Sequence, residues 1–106
     1  MTIKNILESV LGVGQVAFLE FPEKVAPPYA VYYSTGADTF AADNIAYFQA
    51  IPINIELYTD LKDIGLEKRI EAVLTENEIF YTKTETGIPS EKVYQVLYEI
   101  EVKTLE

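Results

Sequence analysis

Residues 51–74, IPINIELYTDLKDIGLEKRIEAVL, change their hydrophobic period halfway along, and that change constrains the fold more than any other feature of the chain. Ile51, Ile53, Ile55 and Leu57 alternate with Pro52, Asn54, Glu56 and Tyr58, the period of two of a strand with one buried face. Further on, Leu66, Ile70, Val73 and Leu74 recur at helical spacing, with Glu67, Lys68, Arg69, Glu71 and Ala72 filling the other positions. Ile70 falls at the centre of that apolar stripe and Glu71 is expected to face water. Asp60 and Asp63 lie between the two patterns, and each has a side chain able to cap a helix start. Asp63 is preferred, because Gly65 then sits in the first turn, where its weak helix propensity costs least. A strand running straight into an amphipathic helix predicts one sheet with a helix lying across it.

The flanking segments extend this plan. Ile3, Ile6, Leu7, Val10 and Leu11 predict a helix over residues 2–11, capped by Thr2 and stopped by Gly12. Residues 15–21 read as a short strand with Val16 and Phe18 on one face and Ala17, Leu19 and Phe21 on the other. Pro22 marks a turn, and Pro27–Pro28 impose an extended approach to the strand 29–35, YAVYYST. Residues 36–45 are small and polar apart from Phe40 and read as an irregular loop. Residues 46–50 resume as a strand that leads through Pro52, which cannot donate a ladder hydrogen bond, into the central one. Beyond the second helix, residues 79–85 alternate weakly. Residues 93–103 alternate strongly, Tyr94, Val96, Tyr98, Ile100 and Val102 opposing Gln95, Leu97, Glu99 and Glu101. The intervening TETGIPSE, with Gly87 and Pro89, reads as a turn. The order α-β-β-β-β-α-β-β predicts one α+β domain over residues 1–106, a mostly antiparallel sheet with both helices packed on one face.

Composition narrows the function classes. At 106 residues and 49% hydrophobic, the chain suits a single core that buries roughly 60–70% of the unfolded surface. No apolar run approaches the ~18 residues of a membrane span. Lys4 and Glu8 interrupt the N-terminal helix pattern, unlike the continuous apolar stretch of a signal peptide. The lack of cysteine removes disulfide and thiolate chemistry and fits a reducing cytoplasm. Seventeen acids against eight bases give a net charge of −9, which repels phosphates and argues against sequence-independent nucleic-acid binding. Such a surface serves solubility, or lets nucleic acid pass without sticking.

Catalytic patterns are missing. Without histidine or cysteine, the commonest general base, the thiol nucleophile and nearly every zinc geometry are lost. Ser9, Ser34 and Ser90 have neither a nucleophile-elbow context nor a lysine at S-x-x-K spacing. Glu99 and Glu101 lie two apart on one strand face and are expected to be solvated, partly neutralised by a cross-strand lysine such as Lys83. Asp60 and Asp63 lack the spacing of an EF-hand loop, and Gly12 and Gly14 follow a helix rather than precede one. No catalytic residue, metal or cofactor is therefore expected. The eight tyrosines and five phenylalanines are too many to bury on one face of a small sheet. Either their hydroxyls reach water, or the face away from the helices is covered by another subunit. Base stacking on such a platform would need a basic groove.

The segments PPYAVYY, ADNIAYF, NIELYTDLKD, LEKRIEAVL and KTETGIPSEKVYQVLYEIEV resemble a family of small proteins from tailed phages and prophages of Gram-positive bacteria. These are the tail completion, or tail terminator, proteins that join head to tail in long-tailed phages. The resemblance implies a non-enzymatic α+β protein, made in the host cytoplasm and located at the virion head–tail interface. It also implies a hexameric ring that caps the tail tube, meets the tail-tube and neck proteins, and lets DNA slide through its lumen without specific binding. The candidate subunit interface joins the irregular loop, with Phe40, Asp43 and Asn44, to the tyrosines Tyr32, Tyr47 and Tyr58 of the helix-free face. Another neck or tail component, such as a stopper or tube protein, is the nearest alternative. A small hydrolase or binding protein using clustered carboxylates is the more distant one.

Overall fold

The computed structural model describes residues 2–35, 51–88 and 93–102. In chain order the elements are α1 (Ile3–Leu11), β1 (Val16–Phe18), β2 (Tyr29–Ser34), β3 (Ile51–Thr59), α2 (Ile64–Glu76), β4 (Tyr81–Ile88) and β5 (Val93–Val102). They form the expected α+β architecture, with a five-stranded sheet in the order β1-β2-β3-β5-β4. β1 runs parallel to β2 and every other pairing is antiparallel. The strand expected at residues 46–50 lies outside the described residues.

The period switch that organises the sequence also organises the molecule. β3 is the central strand, and Ile53, Ile55 and Leu57 on its inner face are almost wholly buried. Ile55 stands between Tyr32 of β2 and Tyr98 of β5, while Ile53 faces Ile100 and Leu57 faces Val96. Onto this face α1 brings Ile3 and Leu7, and α2 brings Leu66, Ile70 and Leu74. Both helices therefore cover one side of the sheet, and among the described residues no helix lies on the other side.

Local chemistry sets the boundaries. Thr2 caps α1 by accepting a hydrogen bond from the Asn5 N–H at 2.9 Å, and Gly12 ends the helix at φ 104°, where a side chain is strained. Asp63 caps α2 through Leu66 N–H at 3.0 Å, with Gly65 in the first turn as expected. The α2 C-terminus closes by the two bonds of a Schellman motif, Ile79 N–H to Leu74 O and Glu78 N–H to Thr75 O. Glu78 occupies the left-handed position of that motif, at φ 61°, where glycine is usual.

The boundaries that differ most from those read in the sequence are those of β1 and β4. The first strand is three residues long, because Leu19 turns out at φ 71° while still donating its N–H to Tyr32 O. β4 continues through Gly87 to Ile88 instead of turning at Thr84, because β5 keeps it paired residue for residue, down to Ile88 opposite Val93. Gln15 ties the proline segment to β1, its side-chain amide donating to Ala26 O and Pro28 O around a cis Pro27–Pro28 bond.

Candidate functional site: the open face of the sheet

Strand alternation sends Tyr29 and Tyr33 of β2, Asn54, Glu56 and Tyr58 of β3, and Gln95 and Glu99 of β5 to the side opposite the helices. Cross-strand register then decides their neighbours: Tyr29 faces Tyr58, Tyr33 faces Asn54, and Asn54 faces Glu99. At the centre, Glu56 accepts from two hydroxyls at once, Tyr33 at 2.6 Å on Oε2 and Tyr58 at 2.7 Å on Oε1. Side-chain amides complete the belt, Asn54 donating to the Tyr33 hydroxyl at 3.4 Å and Gln95 to that of Tyr58 at 3.3 Å. Burial, and then the hydrogen bond to Glu56, push the Tyr58 hydroxyl well above the usual tyrosine range. The Tyr33 hydroxyl is raised as well, first by its hydrogen bond to Glu56. Both therefore stay protonated donors across the working pH range.

Aromatic rings flank this belt. Tyr58 stacks on Tyr29 at 5.0 Å between centroids, and Phe21 meets Tyr29 edge-on at 5.4 Å. Beyond the other end of the belt, a groove of about 500 Å³ opens between β3, β5 and β4, with Glu78, Glu99 and Glu101 on its walls. Phe80 projects at its edge, 91% exposed. The surface is thus aromatic and anionic together. Each oxygen of Glu56 already accepts a bond, and no nucleophile stands beside a free base among the described residues. What the arrangement can do is present carboxylates and ring faces to a cationic or aromatic surface.

A second polar cluster lies on the helix side. Glu67, 2% exposed, is held by Lys62 at 2.9 Å and Lys83 at 2.8 Å. Lys83 also pairs with Glu71 at 2.8 Å, and Lys62 with Glu85. The buried Tyr98 donates its hydroxyl to Glu71 at 2.8 Å. Burial alone would lower the Lys83 pKa, but its bonds to Glu67 and Glu71 outweigh that and raise it. Burial likewise acts to raise Glu71, yet the bonds from Lys83 and Tyr98 leave it below the usual glutamate range. This cluster fastens α2 to β4 and β5. No group of three or more potential metal ligands occurs among the described residues.

Several sequence expectations need correction here. Lys83 does not neutralise Glu99 or Glu101: alternation along β4 turns it to the helix side, opposite Tyr98, while Thr82 faces Glu99. Glu71 is not simply water-facing, since it accepts from both Lys83 and Tyr98. Tyr32 leaves the candidate interface, because it points into the core at 7% exposure with Phe18 edge-on against it at 5.4 Å. Tyr58 lies on the open face as expected. Phe40, Asp43, Asn44 and Tyr47 lie outside the described residues. The Glu56 belt was not singled out in the sequence, although the alternation of β3 already placed Glu56 and Tyr58 on one face. Comparison with protein-family models, with curated proteins and with solved structures finds no match to this chain.

Proposed function

We propose that this chain is a structural, non-catalytic subunit of the head–tail junction of a long-tailed phage. In this reading it is a tail completion or terminator protein that caps the tail tube as a hexameric ring and meets the neck of the head. The observation that carries the proposal is the open face, the side of the sheet over which no helix lies among the described residues. On that face a tyrosine–carboxylate belt and an exposed phenylalanine await a protein surface. The family resemblance of the segments quoted above supports the same reading. The net charge of −9 suits a ring whose lumen lets DNA pass.

The test uses purified tail tubes of the matching phage. The protein should co-sediment with tubes, bind at one end only, and stop further addition of tube subunits. Binding along the tube wall, or no binding, would contradict the proposal. Purified protein assayed on ester, phosphate and glycoside substrates should show no turnover above buffer. A turnover abolished by one carboxylate-to-amide change would show an enzyme instead.

A further inference from the structure

The basic residues of the described strands and helices all lie on the helix side of the sheet. Glu56, Glu99 and Glu101 belong to the open face, with Glu78 on the wall of its groove. No strand residue of that face among those described is basic. Lys62 and Lys83 are consumed by the Glu67 cluster on the helix side. That leaves Lys24 on the proline segment, in a groove it shares with Glu23, Asp60 and Tyr29 at the aromatic end of the open face, and Lys4 on α1 and Lys68 and Arg69 on α2, all exposed and none in an ion pair among the described residues. In α2 the buried stripe is Leu66, Glu67, Ile70 and Leu74. The 58% exposed Ile64, Lys68, Ala72 and Glu76 therefore share the outward stripe at intervals of four, with Arg69 beside Lys68. The first half of the outward stripe of α2 is thus basic with an apolar end, and the described strands carry an acidic face with aromatic rings.

We infer that the open face of one copy docks on the outward α1–α2 stripe of a second copy. This inference rests on the ring reading and names the two surfaces such a ring uses. Both halves of the contact are present on one chain and lie on opposite sides of a two-layer domain. The contact is therefore head-to-tail by construction, the arrangement that closes into a ring or continues as a filament. The guanidinium of Arg69 and the ammonium of Lys68 find carboxylates and tyrosine faces, a combination that favours cations. A second copy is preferred to a foreign basic protein because the complementary surface needs no other source.

Salt gives this contact a signature. Copies of charge −9 repel at long range, whereas the docking pairs act at contact distance. The screening length is about 8 Å near 0.15 M salt and about 3 Å near 1 M. Moderate salt therefore removes the repulsion first, and high salt then weakens the contact. Association should pass through a maximum with salt instead of rising steadily, as it would for a purely apolar interface.

Sedimentation velocity over a salt series tests this with wild type, a Lys68→Glu/Arg69→Glu variant and a Glu99→Lys/Glu101→Lys variant. Circular dichroism confirms that each is folded, and the neutral pair Glu99→Gln/Glu101→Gln serves if a reversal unfolds. Each reversal should weaken self-association by about tenfold or more. An equimolar mixture of the two reversals should restore it, because each altered surface then meets its opposite. Wild type that associates steadily with salt, with variants that behave like it, overturns the inference and leaves the ring standing. A mixture no better than its components overturns it too. Wild type that never associates removes the ring and this contact together. An oligolysine peptide that binds the open face while copies stay apart would assign that face to a foreign basic partner and overturn the inference.

Discussion

Glu71 holds two donors at once, the Lys83 ammonium and the hydroxyl of the fully buried Tyr98. Removing the acceptor leaves a buried hydroxyl unpaired, whereas removing the hydroxyl leaves a carboxylate that is still paired with Lys83. Glu71→Ala should therefore cost about 1–3 kcal/mol, and Tyr98→Phe about 0.5–1.5 kcal/mol, by urea denaturation. Equal costs would mean that the bond carries no weight. The same carboxylate gives a pH signature. Its folded pKa lies below the ordinary value of 4.5, so the stability it contributes is present above pH ~4.5 and is lost as pH falls through the folded value. Denaturation midpoints of wild type should drop between about pH 5 and pH 3, and Glu71→Gln should flatten that drop. At this scale the sequence was only partly legible. Periodicity placed Ile70 in the core but left Glu67 among the residues filling the rest of the helix, whereas it is buried beside Leu66 and Ile70. What overrides that expectation is a pair of lysines from Lys62 and β4, contacts that span the fold and leave no local trace.

Elements were more legible because their signals are local. The period of two in β3, Leu66, Ile70 and Leu74 of the α2 stripe and the Thr2 and Asp63 caps appear where the sequence placed them, while Val73, read into the same stripe, is only partly buried. Ends set by pairing did not: β1 stops early at Leu19, and β4 outlasts its expected turn because β5 holds it to Ile88. Ile70, 1% exposed at the centre of the α2 contact, should cost about 2–5 kcal/mol as Ile70→Ala. The α2 C-terminus offers a change of the opposite sign. Glu78 adopts φ 61° inside the Schellman motif, a conformation that costs a side-chain-bearing residue about 1 kcal/mol. Glu78→Gly should raise the denaturation midpoint, by up to about 1 kcal/mol after glycine's greater unfolded-state freedom is subtracted. A lower midpoint would show that the Glu78 side chain contributes more than its backbone costs.

For the whole molecule, what matters is that, among the described residues, helices pack on one side of the sheet and not on the other. The excess of tyrosine hinted at this, and the structure sorts the rings: Tyr32 and Tyr98 are core, while Tyr29, Tyr33 and Tyr58 line the open face. Whether a partner covers that face is not legible in the sequence, because a partner leaves no periodicity in the chain it binds. If the irregular loop takes part in ring closure, Phe40→Asp should block assembly and leave the circular dichroism spectrum unchanged. An unfolded variant would show instead that Phe40 belongs to the core. The most direct test of the ring is the molar mass of the wild type by light scattering, measured across protein concentration and salt and again with tail tubes present. Rings should form at high concentration near physiological salt, or on the tube, from a monomer in dilute low-salt solution. A protein that stays monomeric under every one of these conditions, tubes included, would contradict the account.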